Sequence, residues 1–274
     1  MPTLALPPLQ TWVLAAALAM GVAGTASAQS LDVPFVPTPQ EVVDRMLEMA
    51  EVGPDDYLID LGSGDGRIPI TAARLHKTRG MGVDLNPVRV AEAQAGAREA
   101  GVEDTVEFRV QDLFDTDISQ ATVLTMYLLP QVNLRLRPRI LEELEPGTRV
   151  VSHAFDMDDW QPDAQDKVGT RQVFLWVVPA QVAGQWQIDS QEGPLTISLS
   201  QTYQRIAGEA MTEGGRTLPL QNASLRGDEI RFTVAPEDGE PRTFAGRVNG
   251  DTIESLDESD EWQARRPATA EAPQ

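Results

Sequence analysis

Residues 57–67 carry the sequence YLIDLGSGDGR, in which an apolar stretch ends beside an aspartate and runs into three glycines at alternate positions. An apolar run of this length, followed by helical spacing over 67–77, is typical of a buried strand leading into a helix. Gly62, Gly64 and Gly66 allow the backbone to turn tightly and to approach a ligand closely. This stretch therefore predicts a strand–loop–helix unit whose loop binds a small molecule.

The residues around the glycines distinguish between two kinds of ligand. Counted from Gly62, the dinucleotide pattern G-x-G-x-x-G places Arg67 where its last glycine should stand. Asp60 precedes the loop, where it would repel a pyrophosphate but attract the ammonium and sulfonium groups of S-adenosylmethionine. The loop therefore predicts a site for S-adenosylmethionine, with the cofactor-binding residues Asp60, Gly62, Ser63, Gly64 and Gly66.

Two further aspartates stand at the ends of the next predicted strands. Asp84 ends the strand in MGVDLNP, where a carboxylate can accept hydrogen bonds from both ribose hydroxyls. Asp112 follows the third strand in FRVQDLF, in a position suited to an adenine amine. Aspartate is also a common turn former at strand ends, but the combined spacing favours the binding function for both residues.

The same alternation of strands and helices continues along the chain as far as residue 178. It predicts a Rossmann-like, doubly wound α/β fold with a mostly parallel sheet. The predicted strands are 57–61, 81–85, 106–110, 121–127, 149–155 and 171–178, and the predicted helices are 67–77, 87–100 and roughly 131–144. An earlier helix follows Thr38-Pro39-Gln40-Glu41, which has the pattern of a capping box with Thr38 as the cap.

After Pro179 the helical periodicity disappears and short alternating runs separated by turn residues take over. They predict a small all-β antiparallel domain, a meander or partial barrel. The runs are 184–188, 195–200, 203–209, 216–220, 229–234, 242–248 and 252–254. We therefore divide the chain into an N-terminal segment 1–28, a methyltransferase-like domain 29–180, a β-rich accessory domain 181–265 and a tail 266–274.

The N-terminal segment has the features of an export signal. An apolar stretch from Trp12 to Gly24 precedes Ala26-Ser27-Ala28, which matches an A-x-A cleavage site. The stretch is shorter than the ~20 residues of a typical membrane span. We expect a protein that is exported to the periplasm or anchored in the membrane facing it; a misassigned start codon, which would leave it cytoplasmic, is the remaining alternative.

The composition excludes several partners and chemistries. The 274 residues carry a net charge of −20 and contain two lysines and no cysteine. Without a basic stripe, we expect no nucleic-acid partner, because such binding depends on cations that displace counterions. The spacing of histidines and acids predicts no metal site, and without cysteine no disulfide or thiolate chemistry is available.

Four segments resemble one family of enzymes. They are VPFVPT (33–38), DLGSGDGR (60–67), QDLF (111–114) and YLLPQVN (127–133). Together they resemble the bacterial and mitochondrial protein-lysine methyltransferases that act on ATP synthase subunit c and the adenine nucleotide translocase. The resemblance implies that Phe35, Pro37 and Thr38 fold over the methyl donor, and that Tyr127 to Pro130 line the acceptor side.

These observations predict an enzyme that transfers a methyl group from S-adenosylmethionine to a protein lysine, with membrane-associated proteins among the candidate substrates. Tyr127 and Phe35 are the candidates for aligning donor and acceptor through their aromatic faces. His153, at the end of a strand, is a candidate base that we interpret as structural. A small-molecule or lipid methyltransferase, and an exported binding protein without turnover, stay open as alternatives, as does the oligomeric state.

Overall fold

The computed structural model describes residues 36–191, 193–236, 239–257, 259 and 262–267. Its first part alternates helices and strands, as the sequence predicts. The helices are α1 (Gln40–Met49), α2 (Arg67–His76), α3 (Pro87–Ala100) and α4 (Pro130–Glu143). The strands are β1 (Tyr57–Leu61), β2 (Arg79–Asp84), β3 (Val106–Val110), β4 (Val123–Met126), β5 (Arg149–His153), β6 (Ala164–Val168) and β7 (Arg171–Val177).

These seven strands form one sheet in the order β3-β2-β1-β4-β5-β7-β6. Strands β1 to β5 are parallel to one another, whereas β7 runs antiparallel to both β5 and β6. The chain proceeds from β1 outward to β3 and then returns to the other side of β1 with β4. This reversal confirms the Rossmann-like, mostly parallel sheet, and it places the topological switch point between β1 and β4.

Alternate residues of the central strands pack against helices on opposite faces of the sheet, as a buried parallel strand requires. Leu58 on β1 joins the apolar cluster formed with α1 and α2. Its neighbour Ile59 joins the cluster that contains Leu136 and Ile140 of α4. The run of apolar residues in β1 is therefore explained by burial on both faces.

The second part of the chain is a closed antiparallel barrel of eight strands. The strands are β8 (Gly184–Ser190), β9 (Leu195–Thr202), β10 (Arg205–Thr212), β11 (Thr217–Arg226), β12 (Glu229–Val234), β13 (Arg242–Asn249), β14 (Thr252–Ser255) and β15 (Trp262–Arg265). Each strand pairs with the next, and β15 pairs with β8 to close the barrel. The all-β antiparallel region is confirmed, and it is a full barrel because the sequence contains one more strand than we predicted.

The barrel is filled by its own side chains. Phe232 stacks on Phe244 with ring centroids 5.2 Å apart, and Trp262 meets the Phe244 ring edge-on at 5.2 Å. Trp186 is fully buried in the same cluster. A barrel of eight strands has an interior just wide enough for side chains to fill, and aromatic residues fill it here.

Two predicted segments lie wholly or largely outside the described residues. The expected export segment, residues 1–28, is one, and most of the expected tail, 266–274, is the other. Within the part of the chain that the structure describes, no helix is both long enough and apolar enough to cross a membrane.

Candidate active site

The candidate site lies at the carboxyl edge of the parallel strands, on both sides of the switch point. In open α/β sheets this is where ligands bind, because the loops diverge there and leave a crevice. The glycine-rich loop leaves β1 on one side of the crevice. Tyr127 follows β4 on the other side, next to the end of β5.

The glycine-rich loop has the backbone shape that the sequence predicts. Gly62, Gly64 and Gly66 have φ values of +76°, +53° and +76°, which are strained for residues with a side chain. The backbone N–H groups of Gly62 and Ser63 both donate to the carbonyl of Val83, at 2.9 and 2.8 Å, so β2 fixes the loop. The buried Ser63 hydroxyl has no hydrogen-bond partner within the described protein. Such an orphaned polar atom in a loop free of bulky side chains fits a site that a polar ligand completes.

Asp60 is a buried carboxyl at the end of β1. It is 2% exposed and accepts a hydrogen bond of 2.7 Å from the hydroxyl of Thr125, its register partner on β4. Burial raises the pKa of Asp60 to about 7, and the negative charges of Asp84 and Asp65 add to the rise, whereas the Thr125 hydrogen bond opposes it. A cationic group arriving beside Asp60 would stabilise its charged form, so this carboxyl fits the ammonium group of S-adenosylmethionine.

Asp84 connects the loops that follow β1 and β2. One carboxylate oxygen accepts from the N–H of Gly64 at 2.9 Å, and the other accepts from the N–H of Asn86 at 2.8 Å. Each oxygen retains a second lone pair, so the predicted contact with ribose hydroxyls stays compatible with these bonds. Asp84 therefore shapes the glycine-rich loop besides being a candidate ligand of the donor.

Asp112 forms the local turn that is common for aspartate at a strand end. Its Oδ1 atom accepts a hydrogen bond of 2.8 Å from the N–H of Phe114, two residues further on. The side chain is half-buried at the end of β3, on the same sheet edge as Asp60 and Asp84. Its predicted contact with the adenine stays a prediction.

Thr38 has a different partner from the one we predicted. Helix α1 begins after Pro39 and has no side-chain cap, so the capping box is wrong. The Thr38 hydroxyl instead lies 3.1 Å from Nδ1 of His153, which is 115 residues away, and its carbonyl accepts from Arg67 Nη1 at 2.8 Å. A buried hydroxyl group needs a hydrogen-bond partner. For Thr38 that partner is a residue far along the chain rather than the helix that follows it.

The residues beside Thr38 were also expected to cover the donor. Pro37 is exposed and adjoins Thr38 in the chain. Phe35 lies outside the described residues. Thr38 therefore contacts both sides of the crevice. On one side is Arg67, the first residue of α2, which follows the glycine-rich loop and pairs with Asp65. On the other side is His153, the last residue of β5.

The acceptor side is lined by aromatic rings. Tyr127 lies against His153 with ring centroids 3.9 Å apart and stacks on Phe155 at 6.3 Å. Burial lowers the pKa of His153 to about 4, and the positive charge of Arg171 lowers it further. At neutral pH the imidazole is therefore uncharged, as suits its packing between Tyr127 and Thr38.

The acceptor side adjoins the donor loop directly. A Cβ atom placed on Gly62 would lie 2.8 Å from Cδ2 of Leu128, the residue after Tyr127. The positive φ favours glycine at position 62, and a side chain there would also displace the end of the Leu128 side chain. The segment that begins at Tyr127 forms a wall of the same crevice as the glycine-rich loop.

Sequence reasoning missed several residues of this site. Thr125 is a polar residue in an otherwise apolar strand, and that break in the pattern was the available signal. Phe155 and Asn133 carry no local signal, because their place depends on how the loop after β5 folds onto α4, where the Asn133 amide donates to the carbonyl of Phe155 at 3.2 Å.

Comparison with known proteins identifies the family of this chain. A family model described as the ANTKMT methyltransferase domain matches residues 60–164. The chain is 46% identical over 151 residues to a protein-lysine N-methyltransferase of Saccharolobus islandicus (strain REY15A), covering 53% of this chain and 94% of that protein. The chain therefore belongs to the same family as this protein-lysine N-methyltransferase. It is also 34% identical to the adenine nucleotide translocase lysine N-methyltransferase of Mus musculus, over 54% of this chain and 64% of the relative.

A solved structure adds the donor. The RNA methyltransferase from Salinibacter ruber, in complex with S-adenosyl-L-homocysteine, is 56% identical; the match covers 54% of this chain and 96% of that one, with a TM-score of 0.53. This chain is therefore an S-adenosylmethionine-dependent methyltransferase, which confirms the predicted enzyme class and methyl donor. About half of the chain takes part in each match to these three proteins, whereas the family model spans only residues 60–164.

We expect the buried Asp60 carboxyl to favour S-adenosylmethionine binding and to lower the stability of the folded protein at high pH. Because its folded-state pKa of about 7 exceeds the ordinary value of 3.8, the folded protein binds more protons than the unfolded chain between these pH values. The contribution of Asp60 to stability therefore falls as the pH rises through this window. Asp60→Asn should remove that fall and raise the free energy of unfolding at pH 8, while weakening S-adenosylmethionine binding by at least about tenfold, or about 1.4 kcal/mol.

Urea unfolding at a series of pH values and calorimetry with S-adenosylmethionine measure the two effects. Asp104→Asn, an exposed aspartate ahead of β3, is the matched control. Unchanged donor affinity in Asp60→Asn would remove Asp60 from the binding site, whatever the stability result.

For the neutral His153 side chain, we expect stability to depend on pH in the opposite direction. Its folded-state pKa of about 4 lies below the ordinary 6.5, so the unfolded chain binds more protons in this window. Stability therefore falls as the pH drops from about 6.5 to 4. His153→Asn, which retains a hydrogen-bonding partner for Thr38, should flatten that decline when unfolding is followed by urea titration. A pH profile identical to that of the unmodified protein would show that His153 titrates normally in the folded state.

Proposed function

We propose that this methyltransferase transfers the methyl group to the side-chain amine of a lysine in a protein substrate. The proposal rests on the aromatic wall of Tyr127 and Phe155, which adjoins the glycine-rich loop through Leu128. Aromatic faces attract an ammonium group and also provide an apolar surface for the neutral amine. The names of the relatives from Saccharolobus islandicus and Mus musculus support the same acceptor.

The chemistry requires little from the protein beyond alignment and desolvation. S-adenosylmethionine supplies a methyl group on a sulfonium; a nitrogen–carbon bond forms as the sulfur–carbon bond breaks, leaving S-adenosylhomocysteine. The attacking lysine must be neutral, and burial between apolar walls promotes this by lowering the pKa of the amine. Tyr127 and Phe155 would hold the amine in line with the methyl group and exclude water.

The charge of the chain favours a protein over an RNA acceptor. The related structure from Salinibacter ruber is described as an RNA methyltransferase, so that acceptor is the second candidate. Our chain has a net charge of −20. The exposed aspartates Asp115 and Asp117 follow β3, and Asp156 and Asp158 follow β5. An acidic surface repels a phosphate backbone and attracts a basic protein segment.

The acceptor is identified by following the label from tritiated S-adenosylmethionine. We expect the full chain to label protein in a lysate of its source cells, and acid hydrolysis to release the label as N-methylated lysine. Tyr127→Ala should lower the initial rate by about tenfold to 100-fold, because the amine loses its alignment. Tyr127→Phe retains the ring and should retain most of the rate, and S-adenosylmethionine affinity should change little in either variant.

Three outcomes would contradict the lysine proposal. Label that is removed by ribonuclease would assign RNA as the acceptor. Label that extracts with lipid, or that stays in small molecules, would assign the corresponding alternative. Binding of S-adenosylmethionine with no transfer to any fraction would favour a binding protein.

We further propose that the enzyme is exported and acts at or near the membrane, on the basis of the apolar stretch Trp12 to Gly24 and the A-x-A pattern after it. A reporter that is active only outside the cytoplasm, fused to the C-terminus of the full chain, should be active. Deletion of residues 1–28 should abolish that activity while the fusion still accumulates. An inactive reporter on the full-length fusion would place the enzyme in the cytoplasm, where its methyl donor is made.

A further inference from the structure

The barrel contacts the methyltransferase sheet at the acceptor side, through the turn between β9 and β10. Gln204 in this turn accepts from Trp160 Nε1 at 3.1 Å and donates to the carbonyl of Gln161 at 2.7 Å. Tyr203 stacks on Trp160 with centroids 5.9 Å apart and donates its hydroxyl proton to Asp159 at 3.1 Å. The sheet and the barrel belong to one compact unit of the chain.

The segment that receives these contacts is the loop that follows β5, residues 154–163, which we call the acceptor loop. From the other side it is held by α4, where Asn133 donates to the carbonyls of Phe155 and Asp156 at 3.2 and 3.3 Å. Arg137 donates to the carbonyl of Met157 at 2.8 Å and forms an ion pair with Asp159. The acceptor loop is therefore clamped between α4 and the turn of the barrel.

The backbone on both sides of this clamp is strained. Ala154 and Asp158 in the acceptor loop have φ values of +70° and +58°, and Tyr203 in the turn has +55°. Residues with a Cβ adopt such values at a cost in free energy, and keep them only where the surroundings determine the conformation. The N–H of Ala154 donates to the carbonyl of Gln172 on β7 at 2.8 Å. Asp158 lies between Met157 and Asp159, which Arg137 and Tyr203 hold.

The clamped loop begins with an acceptor-side ring. Phe155 stacks on Tyr127, and it lies two residues beyond His153 on the same stretch of chain. The exposed carboxylates of Asp156 and Asp158 follow it. A displacement of the acceptor loop would therefore move Phe155 and both carboxylates together, while the glycine-rich loop, which is fixed to β2, would stay in place.

We propose that Tyr203 and Gln204 are positioning residues for the acceptor, through which the barrel sets how the enzyme engages its substrate. The inference rests on the proposed function in assuming that the acceptor amine binds beside Tyr127 and Phe155. It extends that function to a part of the chain outside the matching family model, which ends at residue 164. The turn acts through the acceptor loop and touches neither donor nor acceptor.

The first test compares Tyr203→Ala with the unmodified full chain in methyl transfer to poly-L-lysine. Loss of the ring and hydroxyl releases the acceptor loop, so the KM for poly-L-lysine should rise by about tenfold, with kcat changing less and S-adenosylmethionine affinity within about twofold. Hydrogen exchange at the amides of residues 155–161 should accelerate. This second measurement requires no acceptor and therefore decides whether the clamp exists even if the acceptor is not lysine.

Two variants control for unspecific damage. Tyr203→Phe retains the stacking on Trp160 and should restore most of the KM. Met211→Ala alters an exposed side chain at the opposite end of β10 and should leave both measurements unchanged. Equal losses of donor and acceptor binding in Tyr203→Ala would show a merely structural role and overturn the proposal, as would an unchanged KM.

Failure of the proposed function gives a different result. The unmodified enzyme could fail to methylate poly-L-lysine and instead methylate RNA or lipid. The lysine assignment would then be wrong, and the same variants would be compared on the acceptor that is labelled. A rise in KM confined to Tyr203→Ala there would still support positioning by the barrel, and no such rise would overturn it.

Discussion

The structure depends on one buried carboxyl at the centre of the sheet. Asp60 is the last residue but one of the central strand β1 and lies against Thr125 of β4, at the point where the strand order reverses. Burying a carboxylate without a cationic partner is costly, and the protein meets the cost by favouring the neutral acid, with a pKa of about 7. An apolar residue at this position would stabilise the sheet but would not attract a cationic methyl donor. Asp60 therefore suits its predicted role, in which a cationic donor would stabilise the charged form of the carboxyl.

Around Asp60, the structure links the donor and acceptor sides through few contacts. Thr38 accepts from Arg67 on the donor side and pairs with His153 on the acceptor side. Leu128 packs on Gly62 across the same crevice. Methyl transfer requires two reactants to be aligned to within fractions of an ångström, and contacts that span both sides maintain this alignment. The neutral imidazole of His153 packs against Tyr127 without adding a positive charge that would repel the sulfonium or an ammonium.

Features coded by neighbouring residues could be predicted from the sequence, and features that depend on distant partners could not. Helix α3 has the predicted bounds, because the Asn86 side chain caps its first turn and Gly101 adopts the left-handed conformation at its end. The Thr38 cap was wrong because His153, far along the chain, takes the hydroxyl. Strand β6 was missed since it is an exposed edge strand, which lacks the apolar alternation that identifies strands. Phe155 could not be assigned to the site because its place depends on residues distant in the chain, the Asn133 amide of α4 and the Tyr127 ring.

The two halves of the crevice differ in what determines their shape. The donor half is determined locally, by glycines, the β2 backbone and Asp84 within a span of about 25 residues. The acceptor half includes a loop with two residues of positive φ, which β7, α4 and the β9–β10 turn hold from outside. In the proposed arrangement, the barrel acts on the acceptor side and leaves the donor site undisturbed. Such a separation would give a physical reason for a methyltransferase sheet to carry a barrel whose described residues fill its interior with aromatic side chains.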